Sequence, residues 1–152
     1  MDKRRLTYRS GVRKIGFTII ELVIFVFIIA IFMALSIPSY CDYSERAKAK
    51  EGLNLAGPVK QSLTEYYFSF KKFPVNNFSA GIPRASSLSG KYVDFISILN
   101  GSIIISYNED TTAFGGETIM LTAMTTAIDI SVRWSCTSGT VANKYRPAEC
   151  RK

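Results

Sequence analysis

One carboxylate stands inside a long apolar run near the N-terminus. Residues 17–37 read FTIIELVIFVFIIAIFMALSI, and the only exceptions to apolar character are Thr18, Glu21 and Ser36. An acid in a membrane segment costs up to about 3 kcal/mol on insertion scales and less near an end, so it predicts a functional role with a partner. Because the run has no basic residue, that partner must come from another chain or from an amine created by processing.

The three cysteines are the other candidates for covalent chemistry. Cys41, Cys136 and Cys150 allow three pairings, and each pairing leaves one thiol over. The spacing favours Cys136 with Cys150, and a closed loop of that size stabilises a fold by about 3 kcal/mol in the chain-entropy model. Two reduced structural cysteines are the alternative.

Histidine is absent from the chain. Its absence excludes the commonest general base and zinc ligand, together with every Ser-His-Asp or Cys-His arrangement. No clustered set of other catalytic residue types takes its place. We therefore assign no catalytic residue, no metal ligand and no cofactor, and we predict that the protein is not an enzyme.

The positive charge is concentrated at the N-terminus. The chain carries a net charge of +7, of which residues 1–16 contribute +5 and the rest only +2. The high pI is therefore no argument for a nucleic-acid-binding surface. The basic residues of this segment are Lys3, Arg4, Arg5, Arg9, Arg13 and Lys14. Next to an apolar run, they predict that the N-terminus stays in the cytoplasm.

Residues 17–37 are predicted to form a transmembrane helix. An isolated strand in a bilayer leaves backbone groups unpaired, and 21 helical residues span about 31 Å, one hydrocarbon core. A cleavable signal peptide cut near Ala34-Leu35-Ser36 and an uncleaved signal anchor are the alternatives. The run is longer than a usual signal peptide core and contains a carboxylate.

An amphipathic helix is predicted over residues 39–72, because apolar residues recur at helical spacing and suit packing against a sheet. Pro38 and Pro58 are expected to kink it. The apolar stripe consists of Tyr40, Tyr43, Ala47, Leu55, Val59, Leu63, Tyr66 and Phe70.

The rest of the chain is predicted to form a four-stranded antiparallel sheet. The strands are expected at 92–99, 103–107, 118–124 and 128–134, with a hairpin turn at Asn100-Gly101. Packed against the helix, this sheet gives an α+β fold.

Two surface features complete the prediction. Asn77-Phe78-Ser79 fits an N-glycosylation sequon, which we interpret as chance. Basic side chains outnumber Glu149 near the C-terminus and predict a basic surface. A solvated surface is the default interpretation, and contact with receptors, DNA or neighbouring subunits is the alternative. The basic side chains are Lys144, Arg146, Arg151 and Lys152.

The segment Lys14-Ile15-Gly16-Phe17-Thr18-Ile19-Ile20-Glu21-Leu22 resembles the processing site of type IV prepilins. The Cys136-to-Cys150 tail also resembles that of type IVa major pilins. In that family a membrane aspartic protease cuts after the glycine and then N-methylates the new terminal residue. The resemblance implies a cut between Gly16 and Phe17, with methylation of Phe17.

The resemblance also implies a domain plan and a role. Residues 1–16 would be a leader that is removed, residues 17–37 a transmembrane and assembly helix, and residues 38–152 the periplasmic, later extracellular, globular domain. The chain would be stored in the inner membrane, extracted by pilus assembly machinery and bundled with copies of itself into a surface fibre, or fimbrium. Glu21 would neutralise the Phe17 amine of a neighbour and so set the axial register. Such fibres serve adhesion, twitching motility, DNA uptake or biofilm, with a host receptor or DNA as candidate partners.

Two other assignments remain open. A minor pilin or a type II secretion pseudopilin would share the N-terminal motif. A major pseudopilin more often lacks the cysteine-bounded loop and carries acidic calcium ligands near the C-terminus, which Glu149 alone does not supply. A monomeric membrane-anchored binding protein would have no need for Glu21.

Overall fold

The computed structural model describes residues 16–110, 112–125 and 131–152, with the backbone alone at 36–39. The chain divides into two compact units, residues 1–37 and 38–152. The predicted leader therefore lies outside the described residues except for Gly16, and its removal stays a prediction.

A single helix, α1, spans Ile19–Phe70 and contains both the apolar run and the amphipathic segment. Within the described residues, no single helix is long and apolar enough to count as a membrane span. The two parts of α1 on either side of residues 36–39 meet the length and composition criteria only when they are taken together; they are Ile19–Leu35 and Tyr40–Phe70. Pro38 and Pro58 both lie in residues assigned to α1. The two predicted kinks stay predictions.

Four antiparallel strands follow in the spatial order β1-β2-β3-β4. They are β1 (Val93–Leu99), β2 (Ser102–Tyr107), β3 (Thr118–Met124) and β4 (Arg133–Gly139). The hairpin between β1 and β2 turns at Asn100 and Gly101, whose φ angles are 48° and 80°. Positive φ at both positions is what a two-residue turn matched to strand twist requires. The predicted α+β fold and this hairpin are confirmed.

The fourth strand lies later in the chain than predicted. Strand β4 begins at Arg133 and ends at Gly139, whereas the prediction was 128–134, of which 128–130 lie outside the described residues. The apolar content of that stretch was the wrong signal. Strand β4 is an edge strand in which only Cys136 is buried, so it needs no apolar run, and its position is fixed by pairing with β3.

Small residues, not the predicted tyrosines, form the face of α1 that packs on the sheet. Val59 and Leu63 are buried as predicted, but Tyr40 and Tyr43 are 73% and 70% exposed. Ala47 and Phe70 are exposed as well, so the stripe is wrong at four of its eight positions. The buried positions in the N-terminal part of this segment are Ala49, Gly52 and Ala56.

The reason for this small-residue face is close approach of helix and sheet. A Cβ atom at Gly52 would lie 2.6 Å from Cγ2 of Ile105 and 2.7 Å from the hydroxyl of Tyr107. That hydroxyl donates a 2.7 Å hydrogen bond to the carbonyl of Ala49. Burial, assisted by the charge of Glu51, raises the pKa of Tyr107, which keeps the donor protonated.

Two acids of α1 fasten the loops of the globular unit. Glu45 accepts from the backbone N–H of Ala113 at 2.9 Å and from Nζ of Lys48 at 2.6 Å. Partial burial opposes ionisation of Glu45, yet these donors lower its pKa overall. Glu51 accepts from the backbone N–H groups of Lys91 and Tyr92 at 2.8 and 3.2 Å. Both carboxylates therefore accept hydrogen bonds from loop backbone within the globular unit.

Asn77 fastens the loop between α1 and β1. Its Nδ2 donates to the carbonyls of Pro83 and Ile96, and its Oδ1 accepts from the backbone N–H of Ile98 at 2.7 Å. An amide engaged on both sides has a structural role, which agrees with our interpretation of the sequon as chance.

Candidate assembly and processing site

Gly16, Phe17 and Thr18 precede α1 and are exposed. A Cβ atom at Gly16 would meet no atom within 4 Å among the described residues. The fold of the described chain therefore does not require glycine at this position. Glycine at such a position permits close approach of a second backbone.

Thr18 and Glu21 cap the start of α1 reciprocally. The backbone N–H of Glu21 donates to Oγ1 of Thr18 at 3.3 Å, and Oε2 of Glu21 accepts from the backbone N–H of Thr18 at 2.9 Å. The Thr18 hydroxyl also donates to Oε2 at 2.7 Å. This is a capping box, which satisfies backbone donors that the first turn of a helix leaves open.

The sequence analysis missed Thr18, although the signal was present. A threonine followed three residues later by a glutamate, at the start of an apolar run, is the sequence signature of a capping box. The prediction considered the cost of a carboxylate in an apolar segment and did not include Thr18 as a local partner of Glu21.

The capping box leaves part of Glu21 unused. Both donors to Glu21 reach Oε2, and Oε1 accepts no hydrogen bond from the described residues. The carboxylate is thus held in the first turn with one oxygen available. Chemically, it can accept a charge-assisted hydrogen bond from an amine.

The apolar half of α1 is exposed throughout. Its large hydrophobic residues between Phe17 and Leu35 have exposed fractions from 38% at Ile29 to 83% at Ile19. Apolar surface of this extent is typical of a membrane segment or of an interface with other chains. The described part of the chain covers none of these large residues fully.

The C-terminal loop is closed by the predicted disulfide between Cys136 and Cys150. Cys41 is exposed and is not in a disulfide within the described residues. The same residues contain no group of three His, Cys, Asp or Glu side chains placed to hold a metal ion.

Arg146 is not part of the predicted basic surface, which is a correction. Its side chain is 3% exposed, whereas Lys144, Arg151 and Lys152 are exposed. The guanidinium of Arg146 donates to four backbone carbonyls, at distances from 2.6 to 3.3 Å. These belong to Val141, Cys136, Ser138 and Gly139. A guanidinium has enough donors to satisfy this carbonyl-rich loop from within, and composition alone does not show that arrangement.

The comparisons with known proteins agree with this architecture. Residues 45–151 match the family model for pilin, a bacterial filament protein. The chain is 39% identical over 140 residues to the fimbrial protein EcpC of Eikenella corrodens, covering 90% of each chain. It is 32% identical over 155 residues to the type IV major pilin protein PilE of Neisseria gonorrhoeae, covering 90% of this chain and 93% of that protein.

A further match is local: 50% identity over 50 residues to the type IV major fimbrial protein FimA of Dichelobacter nodosus, covering 33% of this chain and 31% of that protein. The family match lies within the globular unit of residues 38–152 and covers most of it, and the match to EcpC covers more of the chain than that unit contains. The chain therefore belongs to the type IV pilin family, as a structural subunit of a pilus and not an enzyme.

Proposed function

We propose that this pilin is made as an inner-membrane precursor, is processed between Gly16 and Phe17, and assembles with copies of itself through its N-terminal helices. The observation that carries the proposal is the exposed apolar half of α1, which has at its start the Glu21 carboxylate with hydrogen-bond donors at Oε2 but none at Oε1 among the described residues. An apolar helix of this kind needs a bilayer before assembly and neighbouring helices afterwards.

Processing is supported by the position of the proposed cut. Gly16 and Phe17 lie outside α1, and Phe17 is 73% exposed, so a peptidase can reach the peptide bond between them. A methyltransferase activity acting on Phe17 would complete the subunit. The prepilin peptidase and the pilus assembly machinery are therefore the proposed partners inside the cell.

Register is supported by charge. Cleavage would create an amine at Phe17, four residues before Glu21. In an apolar bundle an unpaired amine and an unpaired carboxylate are each costly, so pairing between adjacent subunits favours one axial offset. The free Oε1 of Glu21 supplies the acceptor without breaking the capping box.

The assembled fibre would be extracellular and attached to the cell surface. Adhesion, twitching motility, DNA uptake and biofilm formation are the activities proposed for it, with a host receptor or DNA as external partners. The exposed Lys144, Arg151 and Lys152 give the C-terminal region a cationic surface for such contacts.

The test of processing is an intact-mass measurement on protein from sheared surface fibres. We expect a chain that begins at methylated Phe17. Gly16→Arg should leave full-length protein in the membrane fraction. Gly57→Arg is the matched control, because a side chain at Gly57 also meets nothing within 4 Å, and it should be cleaved normally. Retention of Met1 in the fibres, or a terminus near Ser36, would contradict the proposal.

A further inference from the structure

We propose that a basic pocket between α1 and the C-terminal tail binds the phosphate of an anionic phospholipid headgroup. The pocket has a volume of about 210 Å³ and is lined by Tyr43, Arg46 and Lys50 of α1, together with Pro147 and Arg151. It lies wholly in the unit of residues 38–152. This inference rests on the membrane-stored stage proposed above.

Hydrogen bonds from side chain to backbone carbonyl hold the two arginines of the basic pocket in place. Nε of Arg46 donates to the carbonyl of Lys144 at 2.9 Å, and Nε of Arg151 donates to the carbonyl of Arg146 at 3.1 Å. The terminal nitrogens of Arg46 and Arg151 donate to no acceptor among the described residues. Two oriented guanidinium groups with free terminal donors suit the oxygens of a phosphate, which accept paired, charge-assisted hydrogen bonds.

No carboxylate lines the basic pocket. The nearby acids of α1 act elsewhere: Glu45 accepts from Ala113 and Lys48, and Glu51 accepts from the loop before β1. Asp42 lies outside the lining and interacts with Lys144. Glu45 and Glu51 are therefore engaged elsewhere, and Arg46, Lys50 and Arg151 form no ion pair among the described residues. An anion would complete the site.

The position of the basic pocket in the chain favours a lipid phosphate. Tyr43 and Arg46 follow Ile37, the end of the apolar run, by only six and nine residues. The headgroup layer adds about 5 to 8 Å to each side of the hydrocarbon core, so residues this soon after the apolar run are within reach of the headgroups. The exposed rings of Tyr40 and Tyr43 are typical of residues at a membrane interface.

The test is a titration of the full chain, purified in a zwitterionic detergent, with short-chain phosphatidylglycerol. The variant Lys50→Gln with Arg151→Gln removes two cations of the basic pocket and keeps Arg46 bound to Lys144. The matched control, Lys72→Gln with Arg84→Gln, removes one lysine and one arginine from exposed positions outside the pocket. Calorimetry should show at least about a tenfold loss of affinity in the pocket variant and less than about a twofold change in the control.

Parallel titrations with inorganic phosphate and with a short DNA duplex identify the source of the phosphate. Tighter binding of phosphatidylglycerol than of either, lost in the pocket variant, supports the proposal. Equal lipid affinity in the two variants, or preference for DNA or inorganic phosphate, overturns it. So does normal lipid binding by a pocket variant that has lost fibre assembly, since the pocket would then bind a neighbouring subunit.

Two controls keep the inference separate from the proposed function. If the double variant does not fold, Lys50→Gln alone, at an exposed position, replaces it and should still weaken lipid binding. If the wild-type chain is absent from the inner-membrane fraction, the membrane-stored stage itself fails. If the chain is resident there but binds no lipid through the basic pocket, only this inference fails.

Discussion

The disulfide-bounded loop and the start of α1 each hold a charged side chain whose described hydrogen-bond partners are uncharged groups. Arg146 is buried and donates to four carbonyls within its own loop. Glu21 is exposed on an apolar helix, and among the described residues it accepts from Thr18 alone, through one of its two oxygens. The subunit itself provides hydrogen-bond partners for the charge of Arg146, whereas it provides donors for only one of the two oxygens of Glu21 among the described residues.

This difference separates a self-contained unit from an incomplete one. The globular unit supplies backbone acceptors for its buried Arg146 and Tyr107, and its core lies between the small-residue face of α1 and the sheet. Within the described residues, the apolar half of α1 has neither a buried core nor a hydrogen-bond donor for Oε1 of Glu21. A change near Arg146 should therefore alter the stability of one subunit, whereas a change at Glu21 should alter assembly between subunits.

The largest expected effect is on fibre yield after Glu21→Val. An apolar side chain favours membrane insertion, so the chain should remain abundant and folded. Each subunit in a fibre would, however, bury the Phe17 amine without its acid, at a cost of about 3 to 5 kcal/mol that recurs along the fibre. We expect few or no sheared fibres alongside normal membrane-fraction abundance.

Glu65→Val is the matched control for that experiment, because Glu65 is an exposed acid on the same helix and accepts a hydrogen bond from Gln61. Its fibre yield should stay normal. A normal fibre yield from Glu21→Val would show that the Glu21 carboxylate has no role between subunits. Glu21 would then not differ from Arg146 in acting on assembly.

The next effect is on the stability of the globular unit after Arg146→Met. Four carbonyls would lose their donor, and a buried acceptor left unsatisfied costs about 1 to 3 kcal/mol. With partial relaxation we expect a loss of about 3 to 5 kcal/mol in the free energy of unfolding, measured by chemical denaturation of the full chain in detergent. Lys144→Met, at an exposed position, should change it by less than about 0.5 kcal/mol.

Removal of the disulfide by Cys136→Ser with Cys150→Ser should cost about 3 kcal/mol, since the crosslink restricts the unfolded chain. The Arg146 hydrogen bonds would remain and hold the loop in part. Cys41→Ser should leave the unfolding free energy unchanged. If the double variant were as stable as wild type, the carbonyl-bound guanidinium alone would account for the order of the loop.

Much of this contrast was predictable from sequence, and the rest depended on packing. Glu21, the cysteine pair and the Asn100-Gly101 turn are local or chemically distinctive signals. The face of α1 that packs on the sheet was predicted wrongly at four of eight positions, because apolar periodicity marks large residues while close approach selects Ala49, Gly52 and Ala56.

Arg146 was placed wrongly for a related reason. Charge composition counts an arginine as surface, and only the three-dimensional path of the loop shows four carbonyls converging on it. Polar side chains whose hydrogen-bond partners are distant in sequence, or are backbone atoms, are thus the hardest to place from sequence.

The smallest expected effect tests how Glu21 is held. Thr18→Val removes the hydroxyl that accepts from the Glu21 N–H and donates to Oε2, while the backbone N–H of Thr18 remains. Loss of an N-cap costs about 1 kcal/mol, so the Glu21 amide should exchange its hydrogen with solvent about fivefold faster in the full chain in detergent. Thr18→Ser keeps the hydroxyl and should exchange at the wild-type rate. Fibre yield should fall only in part for Thr18→Val, because Glu21 itself remains and loses only its fixed orientation. Unchanged exchange in Thr18→Val would mean that the capping box does not restrain Glu21, and that both carboxylate oxygens are available to a neighbouring subunit.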